Sequence, residues 1–268
     1  MPLIDLNKTL IIHTIIDGNE QTTQWEKMFE INKKVLNHFG YHNIYLLKAE
    51  PKLISPEKYS PLHRSELFLY QDMEILKDYD HVIYTELDAF LIKPIEELQK
   101  LCDGVDEDAI MFKNYNESME ISVQFMFSLW SVDFYKQFLE EVRKEIDIIS
   151  KIGHENYIKF CRDIFPKSKK YKCKDDEVFL SYIIKKYKMK NIVNLDCISP
   201  NKKHHLKYFV NCVFLRNRLY RVWLKENGDL EKNPKTINFN NIFFLHVIDS
   251  DKKINEFEKF FYKKLGIK

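Results

Sequence analysis

A chain of 268 residues, 45% apolar and 31% charged, is long enough to bury one large core and lacks the charge excess of a disordered protein. Its 42 basic and 40 acidic residues leave a net charge of +2, which supplies no global field for nucleic acid or an anionic membrane. Cys102, Cys161, Cys173, Cys197 and Cys212 are scattered with no CxxC pair, which argues against a disulfide framework or structural zinc and for a reducing, cytoplasmic setting.

The elements are expected to alternate. The N-terminal segment MPLIDLNKTLIIHTIIDG has no basic region before a long apolar core, and no apolar run in the chain approaches the ~20 residues that span a bilayer. Membrane contact, if any, is expected to be peripheral. Thr9–Ile16 is a β-branched run and reads as a buried strand, with His13 and Asp17 as strand-end polar groups. A helix follows, carrying Trp25, Met28, Phe29, Leu36 and Phe39 at helical spacing, and Gly40 stops it. Asn43–Leu47 reads as a strand, Ser65–Lys77 as a helix and His81–Thr85 as a third strand running into Glu86-Leu87-Asp88.

Beyond this point Ala109–Phe112 and Ser122–Leu129 read as strands. A long amphipathic helix carries Tyr135, Phe138, Leu139, Val142, Ile146 and Ile149. Asp176–Tyr187 is a further helix, Asn191–Leu195 and Asn241–Val247 are strands, and a C-terminal helix carries Ile254, Phe257, Phe260, Phe261 and Leu265. The basic, aromatic stretch Asn201–Arg221 takes no assignment. No repeat or Gly/Ser-rich linker divides the chain, so 1–268 is expected to be a single α/β domain with a mainly parallel central sheet flanked by helices, Rossmann-like in plan.

Chemistry concentrates at YTELDAFLIKP, Tyr84–Pro94. A buried strand ends in two acids spaced i, i+2, and an apolar run resumes at once. Ligands of open α/β sheets bind beyond the carboxyl ends of the strands, and residues two apart on an extended chain point the same way. Glu86 and Asp88 are thereby placed to converge on one cation, which would relieve the repulsion between them. An isolated ExD is more often a pair of solvated loop acids; the apolar flanks on both sides set this one apart.

The segment resembles the DxD region of glycosyltransferases with the GT-A fold. Three further segments resemble that superfamily in chain order. HRSELFLYQDMEIL (His63–Leu76) is similar to the helix before the DxD strand, and the resemblance puts Arg64 near the donor diphosphate or sugar. KDDEVFLSYIIKKY (Lys174–Tyr187) is similar to the acidic helix start that faces donor sugar and acceptor. FFLHVIDSDKK (Phe243–Lys253) resembles the late strand that ends in a metal-binding histidine, and His246 and Lys252 have the spacing of the family-8-like histidine and diphosphate-binding lysine. Glu86 in place of an aspartate, Asp249 in place of a glycine and the lack of a Gly-Gly pair near Gln124–Leu129 depart from the pattern.

The resemblance implies a GT-A-like fold and a metal-dependent transferase, hexosyl transfer being its expected chemistry. A nucleotide-sugar (UDP- or GDP-linked) would be the donor, and a glycan or other hydroxyl compound the acceptor. Residues 1–100 would form the nucleotide-sugar half, and 101–268 the acceptor half with the C-terminal metal and diphosphate segment. Asp88, His246 and Glu86 would hold Mn²⁺ or Mg²⁺, the imidazole favouring Mn²⁺. Thr14, Ile15 and Asp17 would wall the nucleotide pocket. Lys252 and Arg64 would add positive charge at the phosphates. Glu177 is the candidate general base, with Asp176 beside it, although acids at a helix start also cap free N–H groups. The readings set against this one are a degenerate transferase that only binds nucleotide-sugar or glycan, a nucleotidyltransferase or phosphohydrolase, and a nucleic-acid-binding module at Lys202–Arg221, which the near-neutral charge disfavours.

Overall fold

The computed structural model describes residues 4–18, 21–52, 62–102, 109–113, 123–166, 175–189, 192–196, 209–215, 218–224, 230–236, 239, 242–248 and 254–268, in several of these segments as main chain alone. The strand β1 (Thr9–Ile16) is buried along nearly its whole length because it lies inside the sheet with both faces covered. The helix α1 (Thr22–His38) turns Met28, Phe29, Ile31, Asn32, Val35 and Leu36 inward, and ends at Gly40, whose φ of +90° is a left-handed conformation that glycine adopts without a steric penalty. The strand β2 (Ile44–Ala49) follows, parallel to β1.

Where the apolar spacing predicts one helix over Ser65–Lys77, the chain forms three short pieces. These are α2 (Leu62–Leu67) and two 3₁₀ turns at Phe68–Tyr70 and Met73–Asp78. The break has a local cause: Asp72 takes an extended conformation and its side chain accepts from Glu74 N, restarting the chain as a capped turn.

The strands β3 (His81–Thr85) and β4 (Ala89–Leu91) flank the Glu86–Asp88 turn, and α3 (Ile95–Cys102) follows. The strands β5 (Ala109–Lys113) and β6 (Val123–Ser131) lead into the long helix α4 (Val132–Ile152), which Gly153 separates from α5 (His154–Ile164). Next come α6 (Asp175–Lys186), β7 (Ile192–Asp196), β8 (Phe209–Leu215), β9 (Arg218–Leu224), β10 (Leu230–Thr236), β11 (Phe244–Ile248) and α7 (Ile254–Leu265).

Two sheets result. The larger runs β2-β1-β3-β6-β5-β7, with β1 parallel to β2 and β3, β5 parallel to β7, and β6 antiparallel to both its neighbours. One of its faces packs Leu10, Ile12, Val82, Tyr84 and Trp130 against the apolar sides of α4, α5 and α6. The other packs Ile11, Ile83, Phe127 and Leu129 against Leu36, Tyr41 and Leu98. The smaller sheet, β10-β9-β8-β11-β4, includes residues 209–215 and 218–221 of the stretch for which the sequence supports no assignment; the rest of that stretch lies outside the described residues. It is mostly antiparallel, and its edge strand β10 carries Pro234 within a register shift between Asn233 and Thr236, where a missing N–H is tolerated. Phe90, Leu245 and Val247 of this sheet pack with α1 and with Phe257 and Phe261 of α7. The domain is thus a mixed α/β structure with a mainly parallel central sheet flanked by helices. Among the described residues no helix is long and apolar enough to cross a membrane.

Candidate metal centre

Because β1, β2 and β3 run parallel, their carboxyl ends share one edge of the larger sheet. That edge carries the Glu86–Asp88 turn, and there the chain passes from one sheet to the other. The strand β3 ends at Thr85 in the larger sheet, and β4 starts at Ala89 in the smaller, paired antiparallel with β11 so that Ala89 lies opposite His246. The turn closes through Ala89 N donating to Glu86 O at 3.1 Å, and Val247 N donates to Asp88 O at 2.9 Å.

This crossing brings the three sequence-predicted ligands together. One ligand atom from each of Glu86, Asp88 and His246 lies within 4.8 Å of the other two. His246 Nε2 stands 3.4 Å from Asp88 Oδ2. His246 is 8% exposed, while Asp88 and Glu86 are half-buried, so the group is fixed on its protein side and open to solvent on the other. On β11 the side chains alternate. Leu245 and Val247 enter the core beside α1 and α7, while Phe244 packs on Phe127 across the gap between the sheets and His246 follows it on that same side. Two carboxylates and an imidazole within this span are a donor set that fits a divalent cation.

The residues expected to wall a nucleotide pocket fall on the same sheet edge but differ in what they present. Thr14 is half-buried and its hydroxyl shares a hydrogen bond with Tyr84 Oη at 3.0 Å. The Ile15 side chain is core, at 1% exposure, so what it can offer is main chain. Asp17 accepts from Gly18 N at 2.9 Å and pairs with Lys48 at 3.3 Å, which in turn holds Glu26 at 2.7 Å. Arg64 lies in α2, with its side chain outside the described residues, and Lys252, Asp249 and the basic stretch Lys167–Lys174 lie outside them altogether.

The three acids opening α6 are not equivalent. Asp175 is claimed by Arg162 of α5, whose guanidinium donates at 2.7 Å, a salt bridge that joins two helices. Asp176 is buried, and its Oδ1 accepts the Glu177 N–H at 3.0 Å, the expected use of an acid at a helix start. Glu177 is half-buried and supplies its main-chain carbonyl to Ser181 Oγ.

Sequence reasoning missed a layer beneath the turn. His13 of β1 is fully buried and its Nδ1 donates to Thr85 O at 3.0 Å. Burial lowers its pKa to about 4, partly offset by that hydrogen bond, and so keeps the ring neutral. Asn32 of α1 is also fully buried and reaches the turn with both amide hydrogens. The signal in the sequence was an amide on the apolar stripe of α1, in line with Met28, Val35 and Leu36.

No protein-family model matches the sequence, and no curated protein does. Solved structures do. A glycosyltransferase involved in glycosylation of the major capsid of PBCV-1 aligns over 94% of this chain and 98% of its own, with a TM-score of 0.50 and 13% identity. The bifunctional glycosyltransferase WbbM aligns over 99% of this chain and 50% of its own, at a TM-score of 0.49 and 9% identity. The galactosyltransferase LgtC, in complex with donor and acceptor sugar analogues, aligns over 75% of each chain at a TM-score of 0.42 and 10% identity. The likeness to the first of these is one of fold: the chain has a GT-A-like glycosyltransferase fold.

Proposed function

We propose that this protein transfers a sugar from a UDP- or GDP-linked donor to a hydroxyl group of a glycan or other acceptor, with Mn²⁺ or Mg²⁺ as cofactor. The observation that carries this reading is the convergence of Glu86, Asp88 and His246, from two different sheets, at the carboxyl edge of the parallel strands. The GT-A-like fold is in keeping with it.

A nucleotide-sugar carries two negative charges on its diphosphate, and the departing nucleoside diphosphate gains another. Asp88, His246 and Glu86 would hold a divalent cation, which would supply the positive charge that the leaving group needs. Lys252 and Arg64 are the proposed phosphate contacts, each worth on the order of 1.5–3 kcal/mol as a charge-assisted hydrogen bond. Thr14, Asp17 and the main chain at Ile15 line the proposed nucleotide side. Asp175 is committed to Arg162 and Asp176 to the helix start. Glu177, half-buried at the helix start, is the proposed base that takes the acceptor proton, with inversion at the anomeric carbon, and Asp176 stands behind it.

A panel of nucleotide-sugars, tested for binding and turnover with Mn²⁺ and after chelation, decides the reading. Selective binding of one donor, with turnover that chelation abolishes and Mn²⁺ restores, is the expected result; full activity after chelation would remove the metal from the mechanism. In Glu177→Gln the same assay should show turnover reduced about 10²–10⁴-fold with donor affinity held. Full turnover there would leave Glu177 as a helix-start acid, and the anomeric configuration of the product, read by NMR, checks the inversion.

A further inference from the structure

The main chain of the Glu86–Asp88 turn is hydrogen-bonded at every carbonyl from Thr85 to Ala89. Thr85 O accepts from His13 Nδ1 at 3.0 Å. Glu86 O accepts from Ala89 N, and Asp88 O from Val247 N. Leu87 O and Ala89 O accept the two hydrogens of the Asn32 amide, both at 3.0 Å. Ala89 O also accepts from the Thr85 hydroxyl at 3.0 Å, with Glu86 O sharing that proton at 3.2 Å. A side-chain amide in the middle of an apolar helix face is destabilising unless its polar atoms are bonded. Here both Nδ2 hydrogens are bonded, to Leu87 O in the Leu87–Asp88 peptide and to Ala89 O one residue beyond Asp88, while the buried Oδ1 has no hydrogen-bond partner among the described residues.

We infer that Asn32 is a positioning residue for the metal centre: it fixes the spread of the Glu86 and Asp88 carboxylates and, through it, the preference for a small octahedral cation. The inference rests on the metal assignment made above. The side chains of residues i and i+2 diverge or converge with the orientation of the peptides around residue i+1; Asn32 holds the second of these, the Leu87–Asp88 peptide, through Leu87 O, and anchors the chain beyond Asp88 through Ala89 O. Mg²⁺ demands near-ideal octahedral geometry and Mn²⁺ is likewise a small, typically octahedral ion, whereas the larger Ca²⁺ accepts longer distances and irregular shells of about six to eight oxygens. A turn that loosens should accordingly lose Mn²⁺ more than Ca²⁺. Groups that orient metal ligands from behind typically contribute about 10–100-fold in metal affinity.

The test is Mn²⁺ titration of the full chain without nucleotide, followed by the EPR signal of free Mn²⁺, with Ca²⁺ competition. Wild type should bind Mn²⁺ and Asp88→Asn should not; wild type that binds none overturns the metal assignment itself. Asn32→Leu keeps the side-chain size and removes both donors. It should bind Mn²⁺ about 10–100-fold more weakly, with the Mn²⁺/Ca²⁺ affinity ratio reduced. Equal losses for both ions, in step with a lower melting point of the metal-free protein, would assign Asn32 to stability alone. Thr85→Val, a conservative change within a strand, removes one of the two donors on Ala89 O and should shift the ratio the same way by less. Unchanged Mn²⁺ affinity in a folded Asn32 or Thr85 variant, beside a wild type that binds, overturns the inference.

Discussion

Two groups of acids in this protein look alike in the sequence and differ in kind. Glu145 on α4 is 1% exposed and surrounded by donors: Lys186 Nζ at 2.5 Å, the Tyr187 hydroxyl at 2.8 Å, and the Tyr157 hydroxyl. Asp88 is half-buried, and among its described neighbours are a second carboxylate and an imidazole. An acid among donors has its lone pairs and charge taken up within the protein, and it ties α4, α5 and α6 together. An acid among acceptors and an imidazole gains by sharing a cation. Burial and charge alone do not distinguish a binding site from a structural tie; the chemistry of the neighbours does.

The sharpest way to break this comparison is Asp88→Asn. A neutral amide is a poorer ligand and carries no charge, so turnover should fall at least about 10²–10³-fold, as when one stabilising group is lost from a transition state. The melting point of the metal-free protein should hold or rise, because the change removes repulsion with Glu86. A variant that melts much earlier while keeping its activity would put Asp88 in the structural class with Glu145.

The comparison was only partly legible in the sequence. The β-branched runs at Thr9–Ile16 and His81–Thr85 announced buried strands, and the acids after the second fell at a sheet edge, as strand order and ligand placement in α/β folds require. Asn201–Arg221 could not be read, because basic and aromatic residues mix there and its strands take their register from β11, far along the chain. The helix expected over Ser65–Lys77 broke at Asp72, a local cap outcompeting apolar periodicity. Asn32 was visible as an amide on an apolar stripe, but its partners lie 55 and 57 residues away. The pairing of Glu145 with Tyr157, Lys186 and Tyr187 likewise needed three helices to be packed first.

His13 sharpens the comparison from below the metal turn. It is buried against the Phe29 ring and the Thr85 carbonyl, with no acid among its described contacts to favour a charge. Its pKa falls from 6.5 to about 4 on folding, so the unfolded chain binds the extra proton first as pH drops. Stability is therefore full above pH ~6.5 and is lost as pH falls toward ~4, by at most about 3 kcal/mol. Urea midpoints taken between pH 6.5 and 5, where most carboxylates are still ionised, should decline in wild type and decline less steeply in His13→Asn, the buried His81 keeping part of the slope. Parallel slopes in the two proteins would show that His13 is charged in the folded state, or that the acid sensitivity lies elsewhere.

The smallest expected effect, and the one that most directly tests the structural half of the comparison, belongs to Glu145→Gln. The substitution preserves the shape of the side chain but replaces a carboxylate oxygen with an NH₂ group facing donors. Burial and the hydrogen bond to Glu145 together raise the Tyr187 hydroxyl to about 12, so this phenol is a donor throughout the working range. Lys186 is 35% exposed and can turn its ammonium to water, which limits the penalty; the phenols of Tyr157 and Tyr187 would have to rotate to find other acceptors. Loss of a buried charged acceptor of this kind should cost about 1–3 kcal/mol of stability, read as an earlier urea midpoint. Mn²⁺ affinity and turnover at a temperature well below the melting point should match wild type, because this cluster ties helices on one face of the larger sheet and supplies no ligand to the Glu86–Asp88–His246 group. If Glu145→Gln instead keeps its stability and loses Mn²⁺ affinity, the two clusters are coupled and the distinction by neighbours fails.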